Sequence, residues 1–202
     1  MKESGKNETP GGECSSEELV AYHEAGHAVA ALALGVGLDP EGVTLKDGGH
    51  TYIKPPEKSV CDSINCGSIT PSVKEKAEAW PACSLAGPIV EKLLQEEGAP
   101  CAAKIEPFSE EARKDLKQVA VDLRKLNPNN PKGEKADKER LWVETKRLLT
   151  CPERWASVEA LAEALLAEKT ISGERAEEIV KEASQRVLDA RPEPKVIRHE
   201  QE

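Results

Sequence analysis

Aromatic and basic residues are both scarce in this sequence. Aromatic residues make up 3% of the 202 residues, so any core must be built mainly from Ala, Leu, Val and Ile. Lys and Arg number 28 against 37 Asp and Glu, which gives a formal net charge of -9. This charge argues against a nucleic-acid-binding protein, because such a protein needs a basic face.

The sequence also has no long hydrophobic run. The longest apolar stretch, residues 28 to 38, contains two glycines and is well short of the ~20 residues that span a bilayer. Residues 1 to 18 are polar and lack the apolar segment of a signal peptide. We therefore expect no membrane span and no export signal, and a cytoplasmic location.

Closely spaced cysteines are few as well, since only Cys61 and Cys66 are near each other. The six cysteines include no CxxC pair, so the usual ligand spacing of a cysteine zinc site is absent. Without an export signal, reduced thiols are expected rather than disulfides. A disulfide-rich binding protein stays open as an alternative, and a count of free thiols would distinguish it.

The abundance of Ala, Leu, Glu, Lys and Arg predicts a mainly α fold. We expect a disordered segment over residues 1 to 15, one folded domain over residues 16 to 190 and a flexible tail over residues 191 to 202. Ser15 and Glu18 form a capping box that opens a helix reaching about Leu34. A small β-hairpin is expected around the turn Asp47-Gly48-Gly49, and an irregular loop over residues 54 to 70. Further helical stretches are expected at residues 72 to 79, 82 to 97, 109 to 126, 135 to 149, 152 to 167 and 172 to 188, with disturbances near Pro81 and at Gly87-Pro88.

The first predicted helix carries an HExxH motif, read as His23-Glu24-Ala-Gly-His27. Residues four apart lie on one helix face, so the imidazoles of His23 and His27 can both reach one zinc ion at ~2.0–2.1 Å. Glu24 points beside the metal, where it can act as general base toward a water that zinc activates. The motif therefore predicts a zinc-dependent peptidase.

The alternative is that the two histidines lie on the helix without binding a metal. However, this helix is apolar almost all round, from Leu19 through Leu34, which is typical of a buried helix. A buried Glu and two buried His need polar partners, or they destabilise the fold. Zinc and its water would supply those partners, so we favour the metal site.

The third zinc ligand cannot be chosen by spacing. The longer metzincin pattern HExxHxxGxxH is absent. His50, in the hairpin turn, and His199, in the tail, are expected to be solvated. An acidic ligand is favoured, and Asp115 lies at the border of the apolar face of the helix over residues 109 to 126. Asp122, two turns later, is its rival.

Several segments resemble the FtsH-type zinc proteases. Leu19–Val29 reads LVAYHEAGHAV and resembles the active-site helix of that family. Three later segments agree in the family's order, so that the resemblance covers roughly residues 16 to 185. LAGPIVE at 85 to 91 resembles LGGRxAE, ARKDL at 112 to 116 resembles ASNDL, and the segment at 162 to 174 resembles AxxLLxxxTLxGEE.

This resemblance implies a helical zinc metallopeptidase domain in which Asp115 is the third zinc ligand. For Glu91 two readings stay open, a side chain that orients a ligand and an ordinary glutamate on the helix surface. Pro88 stands where the family has Arg, and Ser109-Glu-Glu111 replaces a TTG-like stretch. Members normally carry a membrane anchor and an ATPase domain before the peptidase, whereas this sequence shows neither and has no Walker-type loop.

The leading hypothesis is thus a zinc endopeptidase that cuts unfolded or flexible polypeptides. One alternative is a subunit of an ATP-driven protease, dependent on a separate ATPase or on assembly into a homo-oligomer. Another is a zinc-binding module without turnover, against which the intact Glu24 argues.

Overall fold

The computed structural model describes residues 16 to 103 and 105 to 191. The predicted disordered segment, Ser15 of the predicted capping box, His199 and all but the first residue of the predicted tail lie outside the described residues. The described chain is mainly helical with one small antiparallel sheet, which confirms the predicted fold class. The helices are α1 (Ser16–Ala33), α2 (Lys58–Asn65), α3 (Pro71–Ala77), α4 (Ala79–Glu96), α5 (Glu110–Leu126), α6 (Pro131–Leu149), α7 (Pro152–Glu168) and α8 (Gly173–Asp189). The strands are β1 (Leu38–Thr44), β2 (His50–Ile53) and β3 (Thr170–Ile171), and short 3-10 turns span Lys46–Gly48 and Pro100–Ala102.

Helix α1 runs through the centre of the molecule. Every residue from His23 to Ala31 is buried, which confirms the burial predicted from its all-round apolar surface. The helix packs mainly against α4 and α7. Because aromatic residues are scarce, aliphatic side chains fill the surrounding core, and the largest fully buried ones include Leu85, Ile89, Leu123 and Leu161.

Helices α1 and α4 approach each other closely at Gly26. A Cβ atom added there would lie 2.7 Å from Cγ2 of Val90 and 3.2 Å from the carbonyl oxygen of Ala86. Such a short separation is open only to a residue without a side chain. The absence of a side chain in the middle of HExxH therefore lets α4 lie directly against the motif.

Helix interruptions were expected near Pro81 and at Gly87-Pro88, and only the first is present. A break does occur, at Glu78, between the end of α3 and the start of α4. Pro81 lies in the first turn of α4, where its missing N–H has no intrahelical partner to lose. Pro88 lies inside α4, and the helix continues through it.

The predicted hairpin is confirmed as the antiparallel pair of β1 and β2. A third strand, β3, was not predicted; it pairs with the other edge of β1, so the strand order is β2-β1-β3. The predicted irregular loop over residues 54 to 70 is wrong in part, since it contains α2, which buries Val60. Strand β2 lies at an edge of the described sheet.

Two further predictions concern cysteines and membranes. In the described part of the chain, Cys61, Cys66, Cys83, Cys101 and Cys151 form no disulfide with one another. None of the helices over residues 16 to 103 and 105 to 191 is long and apolar enough to cross a bilayer.

Candidate metal and catalytic site

Three side chains from two helices converge at one point beside α1. His23 and His27 lie one turn apart on α1, and Asp115 reaches them from α5. Oδ2 of Asp115 lies 2.9 Å from Nε2 of His23 and 3.1 Å from Nε2 of His27. The two Nε2 atoms are 3.0 Å apart, so the three atoms form a nearly equilateral triangle.

This triangle fits a zinc ion. Ligand atoms of a tetrahedral zinc, each ~2.05 Å from the metal, lie ~3.3 Å from one another. The three edges observed here are within about half an ångström of that separation. Two imidazoles and one carboxylate are a zinc donor set, and a catalytic zinc keeps a fourth position open.

The outer nitrogen of each histidine is held by a group that accepts a hydrogen bond. Nδ1 of His27 donates to the carbonyl oxygen of Cys83 at 2.8 Å. Because a carbonyl only accepts, the proton of neutral His27 is on Nδ1 and its Nε2 carries a lone pair. Nδ1 of His23 lies 2.8 Å from Oε1 of Glu91. Both contacts are typical of metal-binding histidines, whose second nitrogen is bonded to a carboxylate or a backbone carbonyl.

Glu91 links the two helices that supply the ligands. Its side chain is 1% exposed. Oε2 accepts a hydrogen bond from the backbone N–H of Ser109 at 3.1 Å, and Oε1 accepts one from the Ser109 hydroxyl at 2.5 Å. Ser109 is the N-cap of α5, where its hydroxyl oxygen also accepts from the N–H of Ala112. One buried carboxylate on α4 thus orients His23 and anchors the helix that carries Asp115.

In the metal-free cluster, His23 supplies the positive charge that the neighbouring carboxylates favour. Burial alone would lower the pKa of His23, but the hydrogen bonds to Asp115 and Glu91 outweigh burial and raise that pKa to about 10. Burial would raise the pKa of Asp115, whereas its hydrogen bond to His23 holds it well below the usual range. Asp115 is therefore anionic at neutral pH and faces the lone pair of His27 Nε2, an arrangement that a positive ion between them would stabilise.

Glu24 lies next to this cluster on the wall of a cleft of about 420 Å³. His23, His27 and Asp115 line the same cleft, together with the chain over residues 47 to 51. Oε2 of Glu24 accepts a hydrogen bond from the hydroxyl of Thr51 at 2.7 Å. Glu24 is not one of the residues grouped around the metal point, so its carboxylate remains available for proton transfer in the cleft.

Gly87 is the point where the backbone of α4 meets the two imidazoles. A Cβ atom added there would lie 2.5 Å from Nε2 of His23 and 2.6 Å from Nε2 of His27. Any side chain at this position would occupy the space into which the ligand atoms project. The sequence reasoning missed the role of Gly87, although the residue lies in the segment quoted for the family resemblance.

The remaining candidates fall outside the cluster. Asp122 bonds to Nε2 of Gln118 at 3.0 Å and lines a different cleft, so of the two aspartates only Asp115 reaches the histidines. His50 is exposed at the rim of the site cleft and packs its ring against Tyr52, with 4.5 Å between ring centroids. The sequence reasoning also missed Ser109 as a partner of Glu91 and Thr51 as a partner of Glu24.

Comparisons with known proteins give no match: no family model matches the chain, and no curated protein matches its sequence. The resemblance to the FtsH-type zinc proteases therefore stays a prediction that rests on the quoted segments.

Proposed function

We propose that this protein is a zinc-dependent endopeptidase. The observation that carries the proposal is the joint placement of the His23, His27 and Asp115 ligand atoms and of the Glu24 carboxylate around one cleft. A structural metal site does not need a free carboxylate beside it, whereas hydrolysis needs a base for the attacking water.

The residues around the cleft would have different roles in peptide hydrolysis. A zinc ion held by His23, His27 and Asp115 would supply Lewis acidity, activating water and polarising the scissile carbonyl. Glu24 accepts the proton of the attacking water and delivers it to the leaving amine. Glu91 and the carbonyl of Cys83 keep both imidazoles in the tautomer that presents Nε2 to the metal.

The sheet supports a polypeptide as the substrate. β2 is an edge strand of the described sheet, and Gly49, His50, Thr51 and Ile53 line the cleft. An edge strand offers unpaired backbone groups to which an extended peptide can add as a further strand. Only a flexible or unfolded segment can adopt that extended form, so we propose unfolded polypeptides as substrates.

The alternatives from the sequence remain useful outcomes of a test. A subunit that depends on a separate ATPase would share the whole site but would cut nothing alone. A zinc-binding module without turnover would bind zinc equally well with or without the Glu24 carboxylate.

The deciding experiment compares cleavage of an unfolded protein by the wild type and by Glu24→Gln, with both shown to contain one zinc. We expect the wild type to cut and the variant to lose activity by about 100-fold or more, because general-base catalysis contributes that much. Equal cleavage by both proteins would refute the role of Glu24. Zinc-loaded wild type that cuts nothing would refute the stand-alone peptidase.

A further inference from the structure

We propose that Thr51 is a positioning residue, which holds the Glu24 carboxylate in the orientation that general-base catalysis requires. The inference rests on the proposed function, because it assigns Thr51 a part in the same reaction. Thr51 lies on β2, where side chains alternate between the two faces. His50 and Tyr52 are exposed, whereas Thr51 is buried and turned toward α1.

The Thr51 hydroxyl has two acceptors within reach, both on Glu24. Its oxygen lies 2.7 Å from Oε2 of the carboxylate and 3.0 Å from the backbone carbonyl oxygen. The hydroxyl carries one proton, and the charged carboxylate is both the nearer and the stronger acceptor. In the described part of the chain, Thr51 is the one side chain that hydrogen-bonds to this carboxylate.

Gly49 closes the other side of the same carboxylate. A Cβ atom at Gly49 would lie 2.8 Å from Oε1 of Glu24 and 3.0 Å from its Cγ. Its φ of +93° is in the region that favours glycine, so the bare backbone can pass against Oε1. Gly49, just before β2, and Thr51, within it, thus lie against different oxygens of Glu24.

These contacts matter because the last torsion of a glutamate is soft. Rotation about the bond to the carboxylate has broad, roughly two-fold preferences. A general base must lie within hydrogen-bond reach of the proton that it removes, so free rotation would lower the fraction of productive orientations. The Thr51 hydroxyl, bonded to Oε2, restricts this rotation.

Thr44 provides a matched control. It is the same residue type on the neighbouring strand, and it and Thr51 are each 9% exposed. Its hydroxyl pairs with that of Thr170 at 2.8 Å, away from the metal ligands. Thr44→Val and Thr51→Val therefore remove the same hydroxyl from the same sheet at equal burial, but only one change touches Glu24.

The test measures kcat and KM on a fluorogenic peptide that the wild type cuts, together with zinc affinity by chelator competition and the melting temperature. We expect Thr51→Val to lower kcat about 10- to 100-fold relative to Thr44→Val, the effect of losing a hydrogen bond to a charged group. KM and zinc affinity should stay within about twofold of the control. Thr51→Ser, which keeps the hydroxyl, should recover kcat to within about threefold of the wild type.

Crystal structures of the zinc-loaded variants give a readout that does not depend on turnover. The Glu24 carboxylate should turn from its wild-type orientation in Thr51→Val and keep that orientation in Thr44→Val. Equal kcat for the two valine variants would overturn the inference while the peptidase stands. A parallel loss of zinc affinity in Thr51→Val would show a merely structural role. A wild type that cuts no polypeptide would refute the proposed function, and the inference with it.

Discussion

Replacing Gly87 with alanine is expected to abolish tight zinc binding without breaking the helix. The added methyl group would lie 2.5 Å from Nε2 of His23 and 2.6 Å from Nε2 of His27. Non-bonded carbon and nitrogen atoms settle at ~3.5 Å, so the two rings would have to withdraw by about 0.9 to 1.0 Å. Zinc sites keep their ligand distances within about 0.2 Å. We therefore expect the zinc Kd to rise at least about 100-fold, beyond the usual effect of losing an outer-sphere hydrogen bond.

The rings cannot easily rotate away from the new methyl group. Nδ1 of His27 is bonded to the carbonyl of Cys83, and Nδ1 of His23 to Glu91. Alanine itself suits the helix interior better than glycine by ~0.8–1 kcal/mol. The strain therefore falls on the metal site rather than on the backbone of α4.

Gly26→Ala is the matched control, since Gly26 lies at the same contact between α1 and α4. Its Cβ would meet Cγ2 of Val90 at 2.7 Å and no ligand atom, so it should lower the melting temperature yet leave stoichiometric zinc binding. Zinc affinity by competition with a chromophoric chelator and thermal unfolding by circular dichroism are the measurements. A Gly87→Ala protein that bound one zinc with a Kd within threefold of the wild type would show that zinc is not held by the Nε2 atoms facing Gly87.

Two further predictions concern protons and the charge behind His23. The pKa of His23 is raised to about 10 in the metal-free protein, so its imidazolium must lose a proton before it can bind zinc. The zinc Kd should therefore fall about tenfold per pH unit from pH 7 toward pH 10, and about one proton should be released per zinc bound. Calorimetry in two buffers of different ionisation enthalpy measures that release, and a Kd independent of pH would contradict the assignment. Glu91→Gln should weaken zinc binding about 10- to 100-fold. If the amide oxygen accepts the hydrogen bond from Nδ1 of His23, the amide NH₂ group faces the backbone N–H of Ser109, and two donors then oppose each other. The control is Glu96→Gln, an exposed position on the same helix paired with Lys146, and equal zinc affinity in both variants would refute the role of Glu91.

The half of the site carried by α1 could be predicted because its signal is local. His23 and His27 are four residues apart, which fixes their common face once the segment is helical. The apolar letters around them also predicted the burial of α1. Both the common face of the two histidines and the burial of their helix follow from this one segment, so no tertiary contact was needed to predict them.

Asp115, the proposed third ligand, lies 88 residues after His27, and no local pattern reaches so far. Helix α5 itself was predicted, over residues 109 to 126, and the structure has it at Glu110–Leu126 with Ser109 as its N-cap. Asp115 and Asp122 are seven residues apart, or ~10.5 Å along the helix axis. Only one of them can reach the histidines, and the packing of α5 against α4 makes the choice.

The elements that were missed are short or lack a periodic pattern. β3 has two residues, too few to show an alternation, and it follows Lys169, whose φ of 64° ends α7. α2 lies in a stretch with two prolines before it and no side-chain N-cap bond. Both depend on tertiary contacts, β3 with β1 and α2 through the burial of Val60.

Helix α4 has a spacing of residues whose role can be recognised only when its packing against α1 is known. Cys83, Gly87 and Glu91 are spaced by four, so they share the face that meets α1. His27 contacts the first of them and His23 the last, which means that the two helices run antiparallel. The two imidazoles therefore lie against three successive groups of α4: the carbonyl of Cys83, the backbone of Gly87 and the carboxylate of Glu91. A glycine and a glutamate four apart on an apolar helix are unremarkable alone; opposite HExxH, they are the positions that give the histidines room and orientation.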